Sequence, residues 1–155
     1  TEISQMSILK GIKYLEDGCL HLTCSDRAEM YTGKLGWEDV TVSCDLWAQT
    51  GEYHYLLARV RGAERNYAFG FSSDGRAALL KNDFGYTTLC EVPFAWQPAK
   101  EYCLSMQLKG AQITCCVDGQ PLFTFTDSQD PYLSGAVGVG VQKGSHTAVR
   151  RISVH

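Results

Sequence analysis

The sequence predicts an all-β fold, an antiparallel β-sandwich of the jelly-roll type. About a dozen short segments alternate apolar and polar residues, and turn signals separate them at the ~8–12-residue spacing that is typical of sandwiches. No segment keeps the ~3.6-residue apolar period of an amphipathic helix for long enough to predict one.

The N-terminal third begins with weakly patterned residues 1–11, which we expect to form a linker or an edge strand. Asp17 and Gly18 give a strong hairpin signal. Residues 25–29 are polar and predict a connection, and 48–52 predict a loop. The predicted strands of this part are 13–16, 19–24, 30–32 and 40–46.

The central third predicts three consecutive strands at residues 53–61, 66–71 and 76–83. Strict alternation along the first strand places Arg59 and Arg61 on one face, and Lys81 is expected to join them there. These three side chains would form a shallow, polar and electropositive platform on a mildly acidic domain.

The C-terminal part contains two predicted loops, 93–100 and 127–134, between further alternating segments. The predicted strands of this part are 86–91, 101–109, 112–118, 121–126, 135–142 and 148–154.

Composition predicts one domain, residues 1–155, with enough length to bury a core. The net charge of −3 argues against a general nucleic-acid binder, and no apolar run approaches the ~20 residues of a membrane span. The start lacks an initiator Met and an apolar run of the signal-peptide type, which suggests a piece of a longer protein. The odd number of cysteines, seven, predicts free thiols in a reducing cytoplasm.

Catalytic and metal-binding patterns are absent from the sequence. The four histidines show no nucleophile or metal spacing, and His54 is expected to be a core or rim residue. The glycines of 135–140 fit a strand rather than a phosphate loop. The sequence contains no acidic, oxygen-rich run of the kind that binds calcium. We therefore expect no catalysis by this chain and no cofactor or metal.

Binding is the remaining function. Sugars are recognised by flat aromatic rings together with planar hydrogen-bonding side chains. The sequence therefore predicts Arg59, Arg61 and Lys81 as polar contacts, with Tyr55 or Tyr86 as the stacking ring. The alternative to a binding site is that these arginines lie on a face that is simply solvated. The electropositive patch of Arg59, Arg61 and Lys81 would also suit an anion or an acidic partner surface.

The chain also resembles known families. Segments 37–42, 102–110, 113–122 and 134–141 resemble the concanavalin-A-like, laminin-G-like jelly rolls, which include carbohydrate-binding modules and a keto-disaccharide hydrolase family. Segments 56–69, 78–82 and 89–96 resemble a C-terminal β-sandwich module of some bacterial ADP-ribosylglycohydrolase-family proteins. That resemblance implies an accessory domain, because the acidic magnesium motifs of the hydrolase domain are missing. Calcium-binding relatives often carry an acid in the last strand, where this chain has Arg150 and Arg151.

The predicted function is a non-catalytic accessory module that binds a glycan or a related group such as ADP-ribose, attached to a parent catalytic domain. One alternative is an interaction domain that packs on its parent enzyme without a small ligand. The other is a glycoside hydrolase of the keto-sugar type.

Overall fold

The structure is a computed structural model that describes residues 7–8, 12–16, 19–23, 27–62, 64–73 and 75–155. Side chains are described from Leu20 onward within these ranges, except that of Ala28. Most of the predicted linker and the hairpin turn at Asp17 and Gly18 lie outside the described residues. No described helix is long and apolar enough to cross a membrane.

The described residues form fourteen β-strands. They are β1 (Ser7–Ile8), β2 (Ile12–Glu16), β3 (Cys19–Thr23), β4 (Arg27–Thr32), β5 (Thr41–Thr50), β6 (His54–Val60), β7 (Arg65–Ser72), β8 (Arg76–Asp83), β9 (Tyr86–Pro93), β10 (Tyr102–Lys109), β11 (Gln112–Val117), β12 (Gln120–Thr126), β13 (Ala136–Gln142) and β14 (His146–Val154). All strand pairs are antiparallel, and the predicted β-sandwich is confirmed.

Two boundaries differ from the prediction by three residues or more. The segment 25–29 was expected to connect two strands, but β4 begins at Arg27. The loop expected at 48–52 is shorter, because β5 continues to Thr50.

The strands form two seven-stranded sheets. The first sheet has the order β1-β4-β13-β6-β7-β8-β9, and the second has the order β12-β11-β10-β5-β14-β3-β2. Strand β5 shows how alternation builds the core: Val42, Cys44 and Leu46 are at most 1% exposed. The polar residues between them are half-buried on the outer face. Burying the apolar inner faces of both sheets supplies the main stabilising free energy.

One end of the core is closed by aromatic rings from the loop after β9. Phe71 stacks on Trp96 with ring centroids 5.3 Å apart, and on Phe94 at 5.7 Å. The indole Nε1 of Trp96 donates to the carbonyl of Ser72 at 3.1 Å. The loop is therefore docked on the core by rings that bury area and by one directional bond.

A β-bulge at the end of β6 interrupts the predicted alternation. The register with β13 shifts between Ala136 and Gly138, and Arg59 has a φ of 49°. Gly135 packs against this bulge, since a Cβ there would lie 2.3 Å from the carbonyl carbon of Arg59. A bulge inserts one residue and turns the following side chains over. Arg59 consequently points into the sandwich, and its predicted place on an exposed face is wrong.

Candidate functional site

The outer face of the first sheet carries a groove with a volume of about 260 Å³. Its walls come from strands β6 to β9, from β13 and from the segments that precede β6 and follow β7. The lining residues are Tyr53, Tyr55, Ser72, Ser73, Leu80, Tyr86, Thr88, Glu91 and Gln142.

Three tyrosines give the groove its aromatic character. Tyr55 forms the floor at 2% exposure, and Tyr53 and Tyr86 are half-buried at the sides. The ammonium of Lys143 lies 4.7 Å from the centroid of the Tyr53 ring. Burial raises the pKa of the Tyr55 phenol, so Tyr55 is neutral at physiological pH.

The groove also contains a polar side chain that lacks a partner. The amide nitrogen of Gln142 is buried and has no hydrogen-bond acceptor among the described residues. Such buried donors are uncommon in native proteins, and a bound water or a ligand oxygen would satisfy this one. Gln142 therefore offers a directional donor within the tyrosine-lined groove.

Next to the groove, Tyr86 belongs to a buried polar cluster whose other members are Arg27, Glu29 and Asn66. The Tyr86 hydroxyl lies 3.2 Å from Glu29 Oε1 and 3.3 Å from Asn66 Oδ1. Arg27 Nε is 2.9 Å from Glu29 Oε1, and its guanidinium lies 5.5 Å from the Tyr86 ring centroid. Burial raises the pKa of Tyr86, and the charge of Glu29 adds to this, so the ring stays neutral and fixed.

This cluster connects distant parts of the sheet. Four strands separate β4, which carries Arg27 and Glu29, from β9, which carries Tyr86. Their contact requires a strongly twisted sheet, in which opposite corners bend toward the same face. A second bridge of the same kind joins Arg27 Nη2 to Glu64 Oε1 at 3.0 Å.

The predicted contact Arg59 is an interior anchor, 1% exposed. Its Nη1 donates to the carbonyls of Gly110 and Tyr132, the latter at 2.7 Å. Its Nη2 donates to the Glu38 carbonyl at 3.2 Å and lies 3.5 Å from Asp39 Oδ1. Burial lowers the pKa of the guanidinium, partly offset by Tyr67 and Asp39. These contacts tie three connecting segments to β6.

Lys81 and Arg61 do not line the groove. The Lys81 ammonium donates to Asp127 Oδ2 at 2.7 Å and to the carbonyls of Gln129 and Asp130 at 2.6 and 3.0 Å. It therefore orders the segment after β12. The Arg61 side chain is exposed and makes one hydrogen bond to another described residue, to Ser134 Oγ at 3.2 Å. The predicted platform of Arg59, Arg61 and Lys81 does not form.

The structure thus brings Tyr55 and Tyr86 together and leaves out the three cations. Sequence reasoning missed Gln142 and Glu29. A signal for Gln142 existed, because it follows Gly138 and Gly140 at two-residue spacing and so shares their face. Nothing local marks Glu29, whose partner Tyr86 is 57 residues away.

His54 is a core residue with 0% exposure. Its Nε2 lies 2.8 Å from the Gly51 carbonyl, and its Nδ1 lies 2.5 Å from Thr147 Oγ1. Burial lowers the pKa of His54 to about 4, so it is neutral at pH 7. Among the described side chains, no group of three or more His, Cys, Asp or Glu is placed to hold a metal ion.

No protein-family model matches this sequence, and the comparison with curated proteins found no match either. Solved structures do match. The carbohydrate-binding module CBM66 from Bacillus subtilis superimposes with a TM-score of 0.88 and 14% identity, covering 97% of this chain and 95% of that chain.

Two further structures are similar. The exoplasmic/lumenal domain of VIP36, in a form bound to Ca²⁺ and Man3GlcNAc, gives a TM-score of 0.72 and 11% identity, over 99% of this chain and 84% of that chain. A sialidase gives 0.70 and 12%, and the match covers 99% of this chain but only 17% of the sialidase. At these identities the likeness shows the fold alone, an antiparallel β-sandwich.

Proposed function

We propose that this chain is a glycan-binding module and that the groove on the outer face of the first sheet is its binding site. The observation that carries the proposal is the unpartnered Gln142 amide inside a groove lined by three tyrosines. The carbohydrate-binding and lectin folds among the structural neighbours support it.

The chemistry of the groove suits a sugar ring. Aromatic side chains contact the C–H faces of a sugar, while amides and carboxylates bond its hydroxyl edges. Tyr53 and Tyr86 provide ring surface, and Gln142 and the exposed Glu91 provide a donor and an acceptor. The small volume fits one or two sugar residues, so we expect weak affinity for a single site.

Binding of the purified protein to a glycan array, followed by calorimetric titration of the best glycan, tests the proposal. Tyr53→Ala removes one wall and Gln142→Leu removes the amide while keeping its bulk. Each is expected to weaken binding about five- to thirtyfold, from ~1–2 kcal/mol of lost contact. Trp47→Ala is the matched control, because Trp47 is a half-buried aromatic on the second sheet.

Three outcomes count against the proposal. Glycan binding that survives both groove substitutions would place the site elsewhere. A chain that binds no glycan, but binds a parent catalytic domain, would favour the interaction-domain alternative. Turnover of glycoside substrates by the purified chain would favour the hydrolase alternative.

We further propose that the module is appended to an enzyme. Support comes from the sialidase match, in which this fold occupies a small part of a longer chain, and from the resemblance to the ADP-ribosylglycohydrolase-associated module. ADP-ribose therefore belongs in the titration beside the glycans. A cytoplasmic location is proposed from the cysteines, of which Cys44, Cys90, Cys103, Cys115 and Cys116 are free thiols. Thiol counting on protein isolated from its native source tests that point.

A further inference from the structure

The outer face of the second sheet carries two straight rows of uncharged hydrogen-bonding side chains, here called the hydroxyl–amide face. Cross-strand pairing aligns each row across neighbouring strands. The first row is Thr41, Gln107, Thr114 and Thr124, and the second is Ser153, Ser43 and Ser105.

The geometry of this face is regular. Neighbouring strands are ~4.8 Å apart, so the four side chains of the first row span about 14 Å in steps comparable to one residue of an extended sugar chain. Hydroxyls already pair within the rows, Thr114 with Thr124 at 3.0 Å and Ser43 with Ser153 at 2.8 Å. These bonds hold the hydroxyls in fixed positions, which reduces the entropy lost on binding.

The first row also lines a depression with a volume of about 250 Å³. Its walls include Gln107, Gln112 and Thr114, together with the ionisable side chains of Asp39, Lys109 and His155. The amides of Gln107 and Gln112 make no side-chain hydrogen bond to another described residue. Two planar amides thus flank a row of hydroxyls in a depression sized for one sugar ring.

The two rows are uncharged, whereas charged side chains such as Asp45 and Lys109 lie outside the rows on the same face. About 25–35% of surface side chains are charged in a typical soluble domain, and all seven members of the two rows are uncharged. A protein partner would be expected to meet aromatic, Met or Arg side chains, because interfaces are enriched in these and depleted in Ser. A polyhydroxylated ligand needs donors and acceptors in register instead.

We propose that the hydroxyl–amide face is a second binding surface, for an extended neutral polysaccharide lying across strands β5, β10, β11 and β12. It is separate from the tyrosine groove, which lies on the other sheet, and each site can bind without the other. Many weak contacts along one polymer add to a useful affinity, which a single sugar would not reach.

The test is retention of the purified protein on three insoluble neutral polysaccharides: cellulose, mannan and arabinoxylan. The double variant Gln107→Ala/Thr114→Val removes one amide side chain and one hydroxyl. We expect about tenfold weaker retention on the polysaccharide that binds wild type best. Gln49→Ala is the matched control, since Gln49 is an exposed amide on the same face of β5 but outside the rows. It should leave retention unchanged.

A second comparison separates this surface from the groove. Gln142→Leu should reduce binding of short glycans and leave polysaccharide retention unaltered. The proposal is overturned if wild type is retained by none of the three polysaccharides. It is equally overturned if Gln49→Ala or Gln142→Leu lowers retention as much as the double variant, or if anionic alginate is retained as well as the neutral chains.

Discussion

Replacement of Arg59 distinguishes an interior anchor from a ligand contact. In the structure its guanidinium satisfies the carbonyls of Glu38, Gly110 and Tyr132, inside a sandwich where Arg59 is 1% exposed. Arg59→Ala leaves those carbonyls without a donor. Leaving three carbonyls unsatisfied, at ~1–3 kcal/mol for each buried group, costs about 4 kcal/mol of unfolding free energy, a large share of the ~5–15 kcal/mol of a typical domain.

The assay is urea unfolding followed by tryptophan fluorescence. With an m-value of ~2 kcal/mol/M, the midpoint of Arg59→Ala should fall by about 2 M. Arg61→Ala is the control two residues away, where loss of one exposed hydrogen bond to Ser134 should shift the midpoint by less than ~0.3 M. Arg59→Gly should recover about 1 kcal/mol relative to Arg59→Ala, because a φ of 49° strains alanine but not glycine.

Equal midpoints for Arg59→Ala and Arg61→Ala would refute the anchor. If Arg59→Ala also abolished glycan binding at an unchanged midpoint, the guanidinium would face a ligand, as alternation alone predicts.

Two further predictions concern buried ionisable groups. Lys81→Met should destabilise the domain by about 3 kcal/mol, since it leaves the buried Asp127 carboxylate beside Tyr67 without its cation. The double variant Lys81→Met/Asp127→Leu should recover part of that loss in the same urea assay. Burial raises the pKa of Asp127, but hydrogen bonds from Lys81 and Tyr67 outweigh this effect. The net pKa of Asp127 therefore lies below the ordinary value. The contribution of the Asp127 carboxylate to stability is therefore present above pH ~4 and lost as the pH falls through the lowered pKa. The urea midpoint of Asp127→Leu should consequently vary less with pH in that range than the midpoint of wild type. The pKa of His54 is 6.5 in the unfolded chain and about 4 in the folded protein, so the unfolded chain takes up a proton first as the pH falls. Up to about 3 kcal/mol of stability should therefore disappear as the pH drops from 6.5 to 4. A His54 imidazole NMR signal that titrates near pH 6.5 in the folded protein would contradict this.

The strands and the core were largely predictable because each strand carries its own alternation. In β10, Tyr102, Leu104, Met106 and Leu108 are predicted to face inward and are at most 3% exposed. Period-2 patterning is local information, and burial of one face fixes its register.

The site was less predictable because its geometry depends on contacts that local sequence does not encode. The bulge at Arg59 arises where β6 meets β13, more than 70 residues later in the chain. The first half of β4 was missed because its polar residues are satisfied by partners far away in sequence, such as Glu64, which is 37 residues from Arg27. Tyr55 and Tyr86 were predicted as candidate rings, and their convergence in one groove follows from the strand order.

That strand order also governs how the molecule can be synthesised. The last two strands are interior members of their sheets: β13 lies between β4 and β6, and β14 lies between β5 and β3. Until β13 has left the ribosome the first sheet stays split into separate halves with unpaired edges, and the second sheet stays split until β14 follows. Closure of such long-range pairings is slow, and exposed edges favour aggregation in the meantime. We therefore expect the nascent chain to depend on chaperones up to its final strand, and removal of β14 to prevent folding of the whole domain.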